Sequence, residues 1–389
     1  MKKHAKANPS GVVTWADCEG ALAMQEGIPN TSSKFADEGS CAHEIGELVL
    51  TTGKSAAEFI GHVAFGNTCD EVMAGHVQSY ADTVRQYMVH PTDELLVEVS
   101  LDISMITGEP DARGTSDAVV LNFVDQELVC ADLKYGAGDK IRAENNRQLM
   151  IYALAVLMQY QLVAEWKTVR IVIIQPRAGG VSEWSISSDD LLAFGTDIGI
   201  KAQAALALIG NKAEAMKRLT PGAKQCKWCR AKPVCPTAKD FVLGAVQVIP
   251  DDATSDELAS LLARLPMIEG WCGSVRAEAE RRLKAGVPVT GYKLVEGKRG
   301  NRAWEDAKAI EAYLKKTVRL TNDQMYDLKL ISPTTAEKLA KAGAIGDTQW
   351  EKVQTHITRK DGSPTVVEAS DPRTAMLPEA AVLQPVTPI

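Results

Sequence analysis

Two carboxylates and a lysine between residues 113 and 152 are of the types needed for metal-dependent hydrolysis. Asp117 stands at the start of one apolar run, and Asp132 and Lys134 flank a single residue near the end of a second, residues 128–133. Short apolar runs rich in branched residues predict β-strands, and side chains two apart on a strand share a face. We therefore expect Asp132 and Lys134 to project to the same side of a strand.

A hairpin between these two strands would bring the carboxylates together. If the chain turns at Asp125 and Gln126, Asp117 approaches Asp132 and the two can share one divalent ion. Hard oxygen ligands of this kind suit Mg²⁺ or Mn²⁺. Such an ion lowers the pKa of a bound water, while the Lys134 ammonium can orient that water and stabilise charge on a phosphate. These features point to metal-dependent cutting of nucleic acid, whereas an Asp-Leu-Lys triplet at a strand end is by itself most often a solvated edge.

Two predicted helices carry further candidates. Gln148 and Tyr152 have i, i+4 spacing, and so do His43 and Glu47, within a helix that starts near Asp37. Residues four apart lie on one face of a helix, so Gln148 and Tyr152 can reach the same pocket. A single histidine in an amphipathic helix is more often structural, so His43 becomes a candidate ligand only through the wider pattern.

The order of these residues resembles the RecB-like branch of the PD-(D/E)XK nucleases. That family has a helix beginning Gly-x-x-x-His, a Gly-x-x-Asp strand, an Asp/Glu-x-Lys strand and a helix with Gln-x-x-x-Tyr. The resemblance covers roughly residues 15–236 and is nearest to a phage and prophage group related to the CRISPR-associated RecB-like exonucleases. The corresponding motifs here are Gly39 to His43, Gly114 to Asp117, Asp132 to Lys134, and Gln148 to Tyr152.

The resemblance implies a fold, a reaction and a set of site residues. The fold is an α/β restriction-endonuclease-like core, with a mixed central sheet flanked by helices. The reaction is Mg²⁺- or Mn²⁺-dependent hydrolysis of DNA in phage recombination, replication or repair, by an exonuclease rather than a site-specific endonuclease. The implied metal ligands are His43, Asp117, Asp132 and the backbone carbonyl of Leu133, and the implied catalytic residues are Asp117, Asp132, Lys134, Gln148 and Tyr152.

Glu98 is a third acidic residue and interrupts an apolar strand predicted over residues 95–101. Strict alternation gives it an outward-facing position. The alternative is that it supports the active-site lysine or a water on the metal. Further apolar strands are predicted over residues 169–175 and 181–186. The order of helix, three strands, helix and strand suits an α/β core with a mixed sheet.

Eight cysteines in a chain without an apolar leader segment predict thiols or metal ligands rather than disulfides. Two residues separate Cys226 from Cys229, and five more separate Cys229 from Cys235, in a stretch punctuated by Pro and Gly. Three thiols are unusual for a closed tetrahedral site, and Cys18 is the candidate for the fourth. In the resembling families such a set holds a [4Fe-4S] cluster; Zn²⁺ and unligated thiols are the alternatives. The cysteines predicted to be buried small residues are Cys41, Cys69, Cys130 and Cys272.

The cysteine trio lies in a basic neighbourhood. A solvated basic face and a phosphate-binding surface are the two interpretations, since Lys and Arg contacts dominate nucleic-acid affinity. Trp228 is expected to pack over the cluster rather than to stack on a base. The basic residues are Lys212, Lys217, Arg218, Lys224, Lys227, Arg230 and Lys232.

Length and composition predict two domains and a tail. A chain of 389 residues with a net charge of −7 can bury a sizeable core and is not a wholly basic DNA coat. We expect the nuclease domain over residues 1–247, a smaller helical or α+β region over 248–370, and a disordered or partner-binding tail over 371–389. The local pattern predicts a helix over 201–219, an acidic linker over 250–255 followed by a long helix over 256–285, and a strand over 289–295. Cys18 is expected in the first turns of a short helix that begins at Trp15. Candidates for DNA phosphate contacts in a basic turn are Lys298, Arg299 and Arg302.

The expected setting is the cytoplasm of a bacterial host, because no uncharged apolar run of membrane-spanning length occurs. DNA with free ends is the expected partner, followed by phage recombination or replication proteins and further copies of the chain. A different class of function is a DNA-binding or assembly protein that keeps the nuclease fold without turnover. A third is an RNA-directed activity.

Overall fold

The computed structural model describes residues 5–29, 34–245, 253–293, 295, 311–318, 321–322, 326, 332–357 and 374. The chain divides into two compact units, Met1–Val295 and Glu296–Ile389. The predicted domain boundary after residue 247 lies outside the described residues. So do Lys298, Arg299 and Arg302, and the predicted tail apart from Thr374.

The first unit is a mixed α/β fold built on a five-stranded central sheet in the order β3-β4-β5-β6-β7. β5 and β6 are parallel, and the other neighbours in this sheet are antiparallel. A separate small hairpin is formed by β1 (Val63–Ala64) and β2 (Asn67–Thr68). The sheet strands are β3 (Glu94–Asp102), β4 (Arg113–Asn122), β5 (Glu127–Leu133), β6 (Thr168–Gln175) and β7 (Gly180–Ser187).

Helices cover both faces of this sheet. The parallel pair β5–β6 needs a crossover, and α6 supplies it. Val119 and Cys130 pack on the α6 side, whereas Val120 and Val129 pack on the side of α3 and α4. The helices of the unit are α1 (Val12–Asp17), α2 (Ala21–Met24), α3 (Lys34–Thr52), α4 (Glu71–Gln86), α5 (Ser104–Thr107), α6 (Arg147–Tyr160), α7 (Ser188–Ala207), α8 (Lys212–Met216), α9 (Ala223–Cys226), α10 (Pro236–Ala245) and α11 (Ser255–Lys284).

The predicted order of elements and the predicted mixed sheet are confirmed. The hairpin at Asp125 and Gln126 is present, with β4 and β5 antiparallel on either side. The long helix after the acidic linker is present too, with Pro266 inside it. Both faces of β5 and β6 are buried, which explains why their sequences are continuous apolar runs rather than alternating ones.

Three local predictions are wrong. The helix predicted over residues 201–219 starts earlier, where the Ser187 side chain caps α7, and it breaks after Ala207 before α8. The strand predicted over 289–295 is reduced to a single bridge between Val289 and Tyr292. Cys18 does not lie in the first turns of a helix, because α1 ends at Asp17.

The described part of the second unit includes two short helices, α12 (Pro333–Lys341) and α13 (Asp347–Gln354). Ser332 caps the first of them through its side chain, and a proline follows at the first helical position, where a missing N–H costs nothing. Across the described ranges of the whole chain, no helix combines the length and the apolar character needed to cross a membrane.

Candidate functional site

The site begins at an irregularity shared by β3 and β4. The register of the two strands puts Glu98 opposite Asp117. The residues on either side of them form regular antiparallel pairs, but Glu98 and Asp117 do not pair with each other. Glu98 has φ of 50°, a left-handed conformation that non-glycine residues seldom adopt. Leu96 and Val99 consequently pack on the same side of the sheet, although alternation would separate them. Backbone strain of this kind concentrates at functional sites.

This irregularity brings Glu98 into a cluster with His43 and Asp117. One ligand atom from each of the three lies within 4.8 Å of the other two. The His43 Nδ1 atom is 3.3 Å from Asp117 Oδ2, and the backbone N–H of Leu133 donates to the same oxygen at 2.8 Å. The outward-facing prediction for Glu98 is therefore wrong. The only sequence signal was a charged residue inside an apolar run.

Asp132 and Lys134 project from the end of β5 on one side, as their spacing predicts. The Lys134 ammonium lies 2.7 Å from Asp132 Oδ2, and the Asp132 residue is only 4% exposed. This ammonium is the cation that compensates the charge of the buried oxygen. A buried carboxylate oxygen without a donor is costly unless a cation lies against it.

Burial and mutual repulsion shift the ionisation of the whole cluster. Burial raises the pKa of Asp132, although the neighbouring Lys134 ammonium acts to lower it. Burial is also the largest cause that raises the pKa of Glu98 to about 7, and the negative charge of Asp117 is the second. Burial opposes the charged forms of His43 and Lys134, yet their acidic neighbours outweigh it and raise both pKa values. Burial also opposes ionised Asp117, but the hydrogen bond from His43 lowers its pKa. Three crowded carboxylates are an arrangement that a divalent cation would relieve.

Helix α6 closes the site from the other side. The side chains of Gln148 and Tyr152 hydrogen-bond each other, and burial raises the pKa of the Tyr152 phenol to about 12. The Tyr152 ring lies over Gly114, where an added Cβ would come within 2.7 Å of the ring. Gly39 is different, because a Cβ there would meet open space among the described residues.

Glu44 and Glu47, which lie close to His43 on α3, stand apart from the cluster. Glu44 is engaged with His62, whose Nε2 atom lies 2.8 Å from its Oε1 atom. Glu47 is exposed and acts on Glu98 only through its charge.

The four cysteines predicted to act together line one pocket, next to Met24, Leu219 and Ala238. Backbone N–H groups of Thr220 and Gly222 face the sulfurs of Cys18 and Cys226 at 3.4 and 3.5 Å. No three of the four sulfurs lie within 4.8 Å of one another. The residues concerned are Cys18, Cys226, Cys229 and Cys235.

An ion pair links this pocket to the helix that closes the site. Arg147, next to Gln148 on α6, donates to both carboxylate oxygens of Asp17, next to Cys18. Such a two-point contact fixes orientation as well as distance. Nothing in the sequence signalled this pair, since 130 residues separate its members.

Two predictions about the cysteine-rich segment fail. Trp228 does not pack over the pocket, because its side chain is 79% exposed. Cys272 is half-buried, whereas Cys41, Cys69 and Cys130 are buried as predicted. Several of the surrounding cations are ion-paired rather than free: Lys217 with Glu214, Arg218 with Glu19, and Lys227 with Asp139.

Comparison with known proteins places the chain in one family. A solved structure titled "Crystal structure of SSO0001" matches 56% of this chain and 94% of that chain, at 12% identity and a TM-score of 0.23, a likeness too weak to carry an argument. A family profile described as "Protein of unknown function (DUF2800)" matches residues 4–374. That description names no activity, so the resemblance to RecB-like nucleases stays a prediction. The chain belongs to the DUF2800 family.

Proposed function

We propose that the chain is a Mg²⁺- or Mn²⁺-dependent deoxyribonuclease with a restriction-endonuclease-like core. The observation that carries this proposal is the cluster of His43, Glu98 and Asp117, with the buried ion pair of Asp132 and Lys134 beside it. A protein that only binds DNA has no need to crowd three carboxylates together, because their mutual repulsion costs free energy that a divalent cation would relieve.

The residues present fit a divalent ion with hard ligands. Glu98 and Asp117 offer oxygens and His43 offers a nitrogen within 4.8 Å of one another, while Asp132 and the Leu133 carbonyl are further candidates from the resemblance. When bound, the ion supplies Lewis acidity that activates water and offsets charge on the phosphate.

The chain's own groups supply the remaining chemistry. Hydrolysis adds water across one P–O bond: the water oxygen bonds to phosphorus and loses its proton, and the departing oxygen gains one. The Lys134 ammonium stabilises the negative charge that grows on the phosphate oxygens. The Tyr152 phenol, with a pKa of about 12, stays protonated at neutral pH and can donate to a phosphate oxygen, held in place by Gln148.

The preference for an exonuclease at DNA ends comes from the family resemblance. So do the proposed roles in phage recombination, replication or repair and the association with proteins of those processes. A second copy of the chain is a further proposed partner, since exonucleases of this type form oligomers.

The test of this function is cleavage by isosteric variants. End-labelled linear DNA and closed circular DNA are incubated with Mn²⁺, Mg²⁺ or EDTA. Asp132→Asn and Lys134→Met should each lose cleavage at least 100-fold, as expected when one electrostatic contribution to a transition state is removed. Asp139→Asn is the matched control, because Asp139 is 84% exposed and lies outside the cluster.

The outcomes separate the classes of function. Metal-dependent loss of linear DNA alone supports an exonuclease, and nicking of the circle supports an endonuclease. If the protein binds DNA but cleaves it with none of the metal ions, the result favours a DNA-binding or assembly protein over a nuclease. Faster cleavage of RNA than of DNA would show that RNA is the preferred substrate.

We propose in addition that the four-cysteine pocket holds a [4Fe-4S] cluster. Four sulfurs around one zinc lie about 3.8 Å apart, given a Zn–S distance of about 2.3 Å and tetrahedral angles. No three of these sulfurs lie within 4.8 Å of one another, so the tight arrangement of a single zinc site is not formed, whereas a polynuclear cluster holds its cysteines further apart. N–H groups directed at the sulfurs, such as those of Thr220 and Gly222, are the contacts that tune such clusters.

Metal content decides between the cluster and zinc. Protein purified without oxygen should contain iron and sulfide in equal amounts and absorb visible light, and Cys229→Ser should lose both properties. Cys130→Ser, at a buried thiol outside the pocket, is the control. One zinc per chain, without iron, would refute the cluster.

A further inference from the structure

A groove of about 700 Å³ adjoins the candidate active site, and Tyr152 and Gly114 belong to its lining. Tyr152 is thus shared by the groove and the site. The volume lies within the range of cavities that bind organic ligands. Its other walls come from the N-terminal segment, α2 and the cysteine-rich segment.

Three cations line this groove without acidic partners. Within the described part of the chain, no carboxylate lies within 4.0 Å of the side-chain nitrogens of these cations, although Glu109 accepts a hydrogen bond from the backbone N–H of Lys6. The cations are Lys6, Arg113 and Arg230. Arg113 donates its Nε–H to Ser100 Oγ at 3.1 Å, and Arg230 donates its Nε–H to Gln25 Oε1 at 3.3 Å. Arg230 also donates from Nη1 to the carbonyl oxygen of Ile28. Among the described residues, the two Nη groups of Arg113 make no hydrogen bond and remain for a ligand. This is how arginine is prepared for phosphate recognition.

The charge of the groove is positive although the whole chain is acidic. Glu26 is the one carboxylate in the lining, and its Oε2 atom accepts a hydrogen bond from the backbone N–H of Gly210 at 2.8 Å. A local cationic groove in a chain of net charge −7 favours the binding of a polyanion at this place.

The same groove also offers apolar surface. Pro9, Leu22, Ile28 and Ile209 contribute to its walls. In a duplex the bases are stacked inside and only the backbone and groove edges are accessible. A single strand exposes its bases for apolar and aromatic contact while its phosphates meet the cations.

We propose that this groove, defined by Lys6, Arg113, Arg230 and the apolar residues beside them, binds the single strand of DNA that leads into the active site. The assignment rests on the proposed nuclease function and adds the substrate form and the residues that hold it. Arg113 and Lys6 contact phosphates beyond the bond that is cleaved.

Binding without cleavage tests the groove separately from the chemistry. Fluorescence anisotropy with a labelled single-stranded DNA is recorded in EDTA over a series of salt concentrations. Arg113→Gln and Lys6→Gln should each weaken binding several-fold. Each should also reduce the slope of log K against log salt by about 0.7, the amount for one lost phosphate contact on a single strand. Arg276→Gln, an exposed arginine on α11 without an ion pair, is the matched control.

Each result bears on one proposal. If the double variant Arg113→Gln, Lys6→Gln keeps the wild-type salt slope, the proposal that this groove binds single-stranded DNA is refuted. It is also refuted if duplex DNA or single-stranded RNA binds more tightly than single-stranded DNA and the variants weaken that binding equally. Hydrolysis of bis(p-nitrophenyl) phosphate by the wild type with Mn²⁺ reports the active site alone. If that diester and DNA both resist hydrolysis while the variants lose salt slope, the nuclease proposal fails and the groove stands.

Discussion

Two glycines of the RecB-like pattern should respond to the same substitution in opposite directions. At Gly114 an added Cβ would lie 2.7 Å from Tyr152 Cε1 and 3.3 Å from Cδ1, well inside the 3.5–4.0 Å of ordinary carbon contacts. Tyr152 is 8% exposed and embedded in the core, so the ring cannot move away freely. We expect Gly114→Ala to lower the free energy of unfolding by about 1–3 kcal/mol, the usual cost of overpacking.

Gly39→Ala should stabilise the protein. Gly39 lies within α3, and a methyl group there meets no described atom within 4 Å. Alanine loses less conformational entropy than glycine on entering a helix, a gain of about 0.5–1 kcal/mol. Urea unfolding of the two variants and the wild type measures both effects, through midpoints at unchanged m-values.

A double-mutant cycle identifies the cause at Gly114. Tyr152→Leu removes the ring, so Gly114→Ala should cost much less in that background than in the wild type. An equal cost in both backgrounds would show that the ring is not responsible. A Gly114→Ala variant as stable as the wild type would refute the reasoning outright.

Three further predictions concern charge, metal and backbone. The hydrogen bonds from Arg147 hold the pKa of Asp17 below its ordinary value of 3.8, so this pair stabilises the fold above that pH and less as pH falls through the lowered pKa. Asp17→Asn should therefore lower the urea midpoint at neutral pH, and the difference in midpoint from the wild type should become smaller below pH 3.8. A difference that does not change with pH would contradict this prediction. Mn²⁺ at 100 times its dissociation constant should stabilise the wild type by about 2.7 kcal/mol and Asp132→Asn far less, measured by thermal unfolding with and without EDTA. Glu98→Gly should be more stable than Glu98→Ala by about 1 kcal/mol, because only glycine adopts φ of 50° freely; equal midpoints would argue against strain there.

Much of the sheet could be predicted because its signals are local. The apolar runs around Asp117 and Asp132 fix two strands and their hairpin, and a two-residue spacing is enough to place Lys134 beside Asp132. The inward position of Glu98 could not be predicted, because a left-handed residue in the middle of a strand has no signature in the local sequence. The irregularity opposite Asp117 brings Glu98 into the site and places Leu96 and Val99 on the same side of the sheet.

Contacts between residues far apart in sequence could not be predicted for a different reason. The pair of Asp17 and Arg147 and the groove cations Lys6 and Arg230 are brought together by the packing of elements far apart in sequence. The types of these residues are unremarkable for a protein surface. Trp228 shows the converse, since an aromatic residue between two cysteines suggested burial, whereas the backbone there leaves it exposed.

The four-cysteine pocket also imposes an order on biosynthesis. Thr220 and the sulfur of Cys18 are 202 residues apart, so α1 and α2 emerge from the ribosome long before their partners. At about 5–20 residues per second, translation needs on the order of 10–40 s to bridge that interval. During this time Trp15 and Met24, both buried in the finished fold, have no completed core to enter. Until the cysteine-rich segment has been made, the side chain of Met24 therefore lacks the pocket that covers it.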